Sequence, residues 1–144
     1  MTSESQVHVY TCGRPAPSLT VWSPPATILE LAGEESDLVG ELIQSFTADV
    51  AGRLQQIRGA MACANVVVLR YQVHAIKGSS KQMAADRVAS VCEQIEAAGR
   101  ERPISQLVDL VRQLEVRVGE VCAAMAWYRL SDSGAPASVT GRSE

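Results

Sequence analysis

The feature that most restricts this chain is the spacing of its apolar residues. Leu38, Leu42, Phe46, Val50, Leu54, Ile57 and Met61 recur every three or four positions, which lines one face of a helix at 3.6 residues per turn. Leu69, Val73, Ile76, Ser80 and Met83 make a second such stripe, and Val88, Val91, Cys92 and Ile95 a third. Ile104, Leu107, Val111, Leu114, Val118, Val121 and Met125 form a fourth, with the alternating three-four step of a seam packed almost antiparallel on its neighbours. No strand alternation competes. Four amphipathic helices joined by short turns have one economical arrangement. The expected fold is all-α: an antiparallel up-down-up-down four-helix bundle with a short additional N-terminal helix.

The expected helices cover 26–32, 35–62, 66–83 and a stretch from 84 or 85 to 100, followed by one opening at Pro103. Gly33 stops the first, and Cys63, Ala64 and Asn65 turn the chain after the second. Pro103 suits a first turn, where its missing N–H would have no partner anyway. Trp127 and Tyr128 are expected to end the last helix and pack over one end of the bundle. Residues 1–25, with Pro15, Pro17, Pro24 and Pro25, read as an irregular arm with a weakly signalled strand over 6–10. His8 in that arm has no functional company. The bundle domain is expected over 26–130 and a flexible tail over 131–144.

Composition narrows the function classes. A chain of 144 residues makes one domain. With 4% aromatics its core must come from Leu, Val, Ile, Ala and Met. A formal net charge of -3 speaks against a nucleic-acid binder. Cys12, Cys63, Cys92 and Cys122 are widely spaced without a Cys-x-x-Cys pair, which excludes the usual zinc framework. They read as reduced thiols, and Cys92 as core filling. No apolar run approaches the roughly 20 residues of a membrane span, and the N-terminus lacks a signal-peptide pattern. These features lead us to expect a free-standing cytoplasmic monomer with no membrane or nucleic-acid partner.

The third helix carries the chemistry. Offset by one residue from its buried stripe, Arg70, His74, Lys77, Gly78 and Lys81 share a neighbouring face that is wholly basic or small. No Asp or Glu occurs from Val50 to Ala85. A helix built only for solubility would intersperse both signs. This one is expected to present an unpaired positive strip around a histidine, suited to an anionic group. Gly78, Ser79 and Ser80 are poor helix formers in a row, and glycine alone costs about 0.8–1 kcal/mol relative to alanine. Gly78 lies one turn past His74, where a missing side chain clears room for another protein's backbone. Lys77 can set an ammonium beside whatever the ring carries. Imidazole, with an ordinary pKa of about 6.5, offers a free nitrogen lone pair at neutral pH. Arg70 reads equally as a partner contact or a solvated cation. Ser79 reads as a phosphate donor or, more simply, as a small packing residue. Ser80 is expected to be buried and to bond back to its own helix.

The run His74-Ala75-Ile76-Lys77-Gly78-Ser79-Ser80 resembles the signature of histidine-containing phosphotransfer (HPt) domains. Ala84 and Ala85, then Val88, Val91, Cys92, Ile95 and Glu96, resemble the family's continuation, and residues 26–127 are covered in all. Where many relatives have glycine ten residues after the histidine, this chain has Ala84. The resemblance implies that His74 is phosphorylated, that Lys77 stabilises the phosphoryl oxygens and that Gly78 lets a receiver domain dock. It puts Glu96 where a polar residue orients the imidazole. Arg70 and Lys81 would contact the partner. Val39 and Ile43 would do so if partly exposed, or else belong to the core. The implied partners are receiver domains of a hybrid histidine kinase and of a response regulator. No cofactor is expected in this chain, because the Mg2+ that neutralises phosphate charge would belong to the receiver.

The function expected is therefore a phosphocarrier without kinase activity, since no Gly-rich nucleotide loop is present. Two other classes compete. A non-catalytic helical adaptor would keep its activity after His74→Gln. A metal-binding or hydrolytic bundle would need several inward Glu and His residues at helical spacing, which this sequence does not offer.

Overall fold

The computed structural model describes residues 21–33 and 36–137. The possible strand over 6–10, His8 and Cys12 lie outside them. The described residues are all helix and turn: α1 (Ala26–Ala32), α2 (Ser36–Cys63), α3 (Val66–Gln82), α4 (Asp86–Gly99), a 3-10 turn (Ile104–Leu107) and α5 (Val108–Ala137). α2 packs on α3, α3 on α4 and α4 on α5, and α5 closes the ring on α2. Short turns make successive helices antiparallel, so the expected four-helix bundle forms. α1 leans on α2.

The turns at the two ends of α3 are built alike. After α2, Ala64 takes φ 56° and the Asn65 N–H donates to the Ala60 carbonyl at 2.8 Å. After α3, Ala84 takes φ 59° and the Ala85 N–H donates to the Ser80 carbonyl at 2.7 Å. Each is a Schellman closure with alanine at the left-handed position that glycine ordinarily fills. The Asn65 side chain then accepts the Val68 N–H at 3.1 Å and caps α3.

The core joins Val50 and Ile57 of α2 to Leu69, Val73 and Ile76 of α3, Val88 and Ile95 of α4, and Leu114 and Val121 of α5. The structure corrects several expectations. Val39 and Ile43, each 2% exposed, are core, while Leu38 and Leu42 only flank it. Adjacent apolar pairs in the first turns of α2 offer two equally regular stripes, and packing against α1 and α5 selects Val39-Ile43-Phe46. The last helix does not open at Pro103, which instead precedes the 3-10 turn, with the Gln106 N–H donating to its carbonyl at 2.9 Å. Nor does that helix end at Tyr128 or give way to a tail at Ser131. It runs to Ala137, because extending a formed helix costs far less than starting one. Trp127 faces solvent, and only Tyr128 packs inward.

The arm contributes to the core. Trp22 is 3% exposed, and its indole N–H donates to the Met83 carbonyl at 2.7 Å. That carbonyl belongs to the C-cap of α3, among the groups a helix end leaves unpaired. The Trp22 ring also meets Tyr128 edge-on, at 5.8 Å between centroids and 87° between planes.

Candidate functional site

Burial of Leu69, Val73, Ile76 and Ser80 fixes the rotation of α3. Its neighbouring face therefore turns partly toward α4 and partly toward solvent. His74 stands out on this face, its side chain 73% exposed. Its Nδ1 lies 2.9 Å from Glu96 Oε2. Lys77 Nζ donates to Glu96 Oε1 at 2.7 Å. One carboxylate of α4 thus holds both side chains. A carboxylate only accepts, so Nδ1 carries a proton, and in the neutral ring the lone pair lies on Nε2.

The electrostatics follow from this geometry. The hydrogen bond to Glu96 raises the Lys77 pKa above its ordinary 10.5, with burial opposing. Burial alone would raise the Glu96 pKa, but the hydrogen bonds from Lys77 and His74 outweigh it and hold the carboxyl below its usual 4.5. Cys92 is fully buried close by. Burial, then the negative charge of Glu96, push its thiol up to about 12, so it stays protonated and inert. Burial also raises the Cys122 thiol. Cys63, Cys92 and Cys122 are all free thiols.

The expected unpaired basic strip is thus corrected. Lys77 pairs with Glu96, and Lys81 with Glu93 at 3.1 Å. The acids missing from α3 are supplied by α4, a partner that spacing along one helix cannot reveal. Arg70 alone of the strip's cations has no partner among the described residues. A Cβ built on Gly78 would meet nothing within 4 Å, so packing inside the molecule does not require glycine there. Ser79 Oγ donates to the Ile76 carbonyl at 3.2 Å. Ser80 does not bond back as expected. Its buried hydroxyl has no hydrogen-bond partner among the described residues, and its neighbour makes that contact instead.

His74, Lys77 and Glu96 border an open depression of about 510 Å³. Val67, Arg70 and Tyr71 reach it from the α3 turns before His74, and Arg100 from the end of α4. Sequence reasoning missed Val67, Tyr71 and Arg100. Counting three and seven residues back from His74 would have put Tyr71 and Val67 on its face. Val39 and Ile43 are not part of the site.

A histidine and lysine one turn apart on a bundle helix, tied to one carboxylate and followed by an unobstructed glycine, meet a family pattern. The family model for the Hpt domain matches residues 41–124, more than half of the chain. The chain belongs to the Hpt domain family. Comparison with curated proteins and with solved structures finds no match. Hpt domains are phosphocarriers that take part in phosphorelays through a histidine and interact with receiver domains. Among the described residues of this Hpt domain, no helix is long and apolar enough to cross a membrane. No group of three or more His, Cys, Asp or Glu converges there as a metal site.

Proposed function

We propose that this chain relays a phosphoryl group through His74, taking it from the aspartyl phosphate of one receiver domain and passing it to another. The observation that carries this reading is the contact between His74 Nδ1 and Glu96, which leaves Nε2 free on an exposed ring. The Nε2 lone pair forms the N–P bond as the P–O bond to the aspartyl carboxylate breaks, and that carboxylate leaves with the electron pair. The ring becomes a phosphorylated imidazolium whose remaining proton, on Nδ1, stays against the Glu96 carboxylate. The return step reverses each bond. Glu96 orients the ring and offsets the charge it gains. Lys77 anchors Glu96, and Gly78 keeps the approach clear.

Val67 and Tyr71, 74% and 65% exposed, replace Val39 and Ile43 as the apolar surface for a receiver, while Arg70 and Lys81 meet its acidic groups. The donor is assigned to a hybrid histidine kinase and the acceptor to a response regulator, in the cytoplasm. The metal ion of the transfer sits in the receiver, and this chain adds no cofactor.

The test is to phosphorylate receiver domains from the same genome, mix each with this protein and follow the label by mass spectrometry. An acid-labile, base-stable phosphate on His74, lost in His74→Gln, is expected. Failure of transfer across the organism's full receiver set, with the bundle folded, would leave a non-catalytic adaptor.

A further inference from the structure

The cation expected to hold the phosphoryl group is already engaged. Lys77 Nζ sits 2.7 Å from Glu96, on the carboxylate that also holds His74 Nδ1 rather than Nε2. A phosphoryl group on Nε2 would carry about two negative charges into the depression. Two guanidiniums border that depression and have no partner among the described residues: Arg70, one turn before His74 on α3, and Arg100, at the C-cap of α4. They come from different helices. Both are exposed and long enough to swing over the ring, and a planar guanidinium offers paired donors that fit phosphate oxygens. An unpaired arginine in solvent is ordinary. Two of them bordering one depression with a nucleophilic nitrogen, where the only carboxylate among the described lining residues is already shared by two other groups, make a site for an oxyanion.

Resting on the relay through His74, we propose that Arg70 and Arg100 are its phosphoryl-binding residues, closing from two helices on the oxygens of the group carried by Nε2. Lys77 then fixes Glu96 rather than the phosphate.

A small phosphoryl donor separates this role from partner docking, because it needs no receiver. With phosphoramidate, Nε2 forms the N–P bond, the donor's own P–N bond breaks and ammonia leaves. The rate of label appearance on His74 is measured by mass spectrometry for the full chain and for Arg70→Ala, Arg100→Ala and Arg112→Ala. Arg112, on α5 and outside the depression, controls for the loss of one positive charge. Neither the Arg70 nor the Arg100 side chain makes a hydrogen bond or ion pair among the described residues, so the variants should keep the wild-type helical signal and melting temperature. Removing one preorganised donor from an enclosed oxyanion site slows reaction by about 10²–10³. At this solvent-exposed site the expected loss is about tenfold for each variant, with Lys at either position restoring only part. Unchanged labelling in both variants would overturn the proposal and leave the arginines as receiver contacts, as would an equal loss in Arg112→Ala. A loss confined to one of them would overturn the pair. No label on His74 in the unsubstituted protein would remove the relay itself and this inference with it.

Discussion

Along the first turns of α3, Val67, Arg70, Tyr71 and His74 stand in solvent, and Gly78 has open space where a side chain would be. At the far end of the same helix, Ser80, Met83 and Ala85 are buried, and the Trp22 indole covers the last carbonyl. The side chains of the first region have few constraints from within the molecule. Those of the second have many. Three residues that look alike in sequence, Gly78, Ser79 and Ser80, divide between the two regimes. Ser79 is satisfied by its own helix, and Ser80 is locked in the core with no partner for its hydroxyl among the described residues. For Gly78 the interior gives no reason at all. Gly52, Gly59 and Gly119 are equally open, so it is the place of Gly78 one turn past His74 that points to something outside the molecule.

If the Trp22 end is structural and the His74 end is not, substitutions should separate stability from transfer. The largest stability effect is expected from Trp22→Ala, which empties a core position and strips the Met83 carbonyl of its donor. A loss of about 3–5 kcal/mol follows from comparable aromatic truncations, read as a lowered midpoint in urea unfolding. Transfer per folded molecule should stay near normal. An equally steep fall in transfer would mean that the two ends of α3 are one cooperative unit and would break the comparison.

Glu96 is the converse case. Glu96→Ala should slow phosphorylation of His74 by about tenfold to a hundredfold, in the range of positioned groups in proton and charge handling, with little change in the unfolding midpoint. Glu96→Gln, which keeps an acceptor for Nδ1, should lose less. The pH dependence sharpens this. The folded carboxyl has a pKa below its ordinary 4.5, so its contribution to stability is complete above that value and is lost as pH falls through the lower folded one. Carbon-13 NMR of the Glu96 carboxyl should show a midpoint below 4.5 in the wild type. In His74→Gln the midpoint should move upward. An unmoved midpoint would deny the ring any hold on Glu96.

The fold was largely legible because four long stripes of regular period admit few arrangements, and Gly33 and Asn65 mark their boundaries. The register of α2 was not, since Leu38-Val39 and Leu42-Ile43 read equally well on either face until neighbours choose. Trp22 was missed because it stands among prolines, where no period assigns it a face. At the site, His74, Lys77 and Gly78 could be read from one helix and Glu96 through the family resemblance. The pairings of Lys77 with Glu96 and Lys81 with Glu93 could not, because they cross between helices whose rotation only packing sets. Arg100 was hidden for the same reason, although it lies one turn past Glu96.

The smallest expected effect concerns the two turns that bound α3. Ala64 and Ala84 have nearly the same positive φ, and a left-handed L-residue costs roughly 1–2 kcal/mol. Glycine removes that cost but returns some of it through the freer unfolded chain. A net gain of about 0.5–1 kcal/mol is expected for Ala64→Gly, where the residue is exposed and the turn stands open. At Ala84 the gain should be smaller. That turn is already pinned by the Trp22 hydrogen bond to the adjacent carbonyl, and the half-buried methyl gives up some contact when it is removed. Thermal unfolding of both variants, singly and in the Trp22→Ala background, reads the coupling directly. If the clamp holds the turn in its strained shape, the turn can relax once Trp22 is gone and Ala84→Gly should help less there, while Ala64→Gly should not change. Equal gains in both backgrounds would show that Trp22 stabilises the core without shaping the backbone beside it, and the contrast between the ends of α3 would then rest on burial alone.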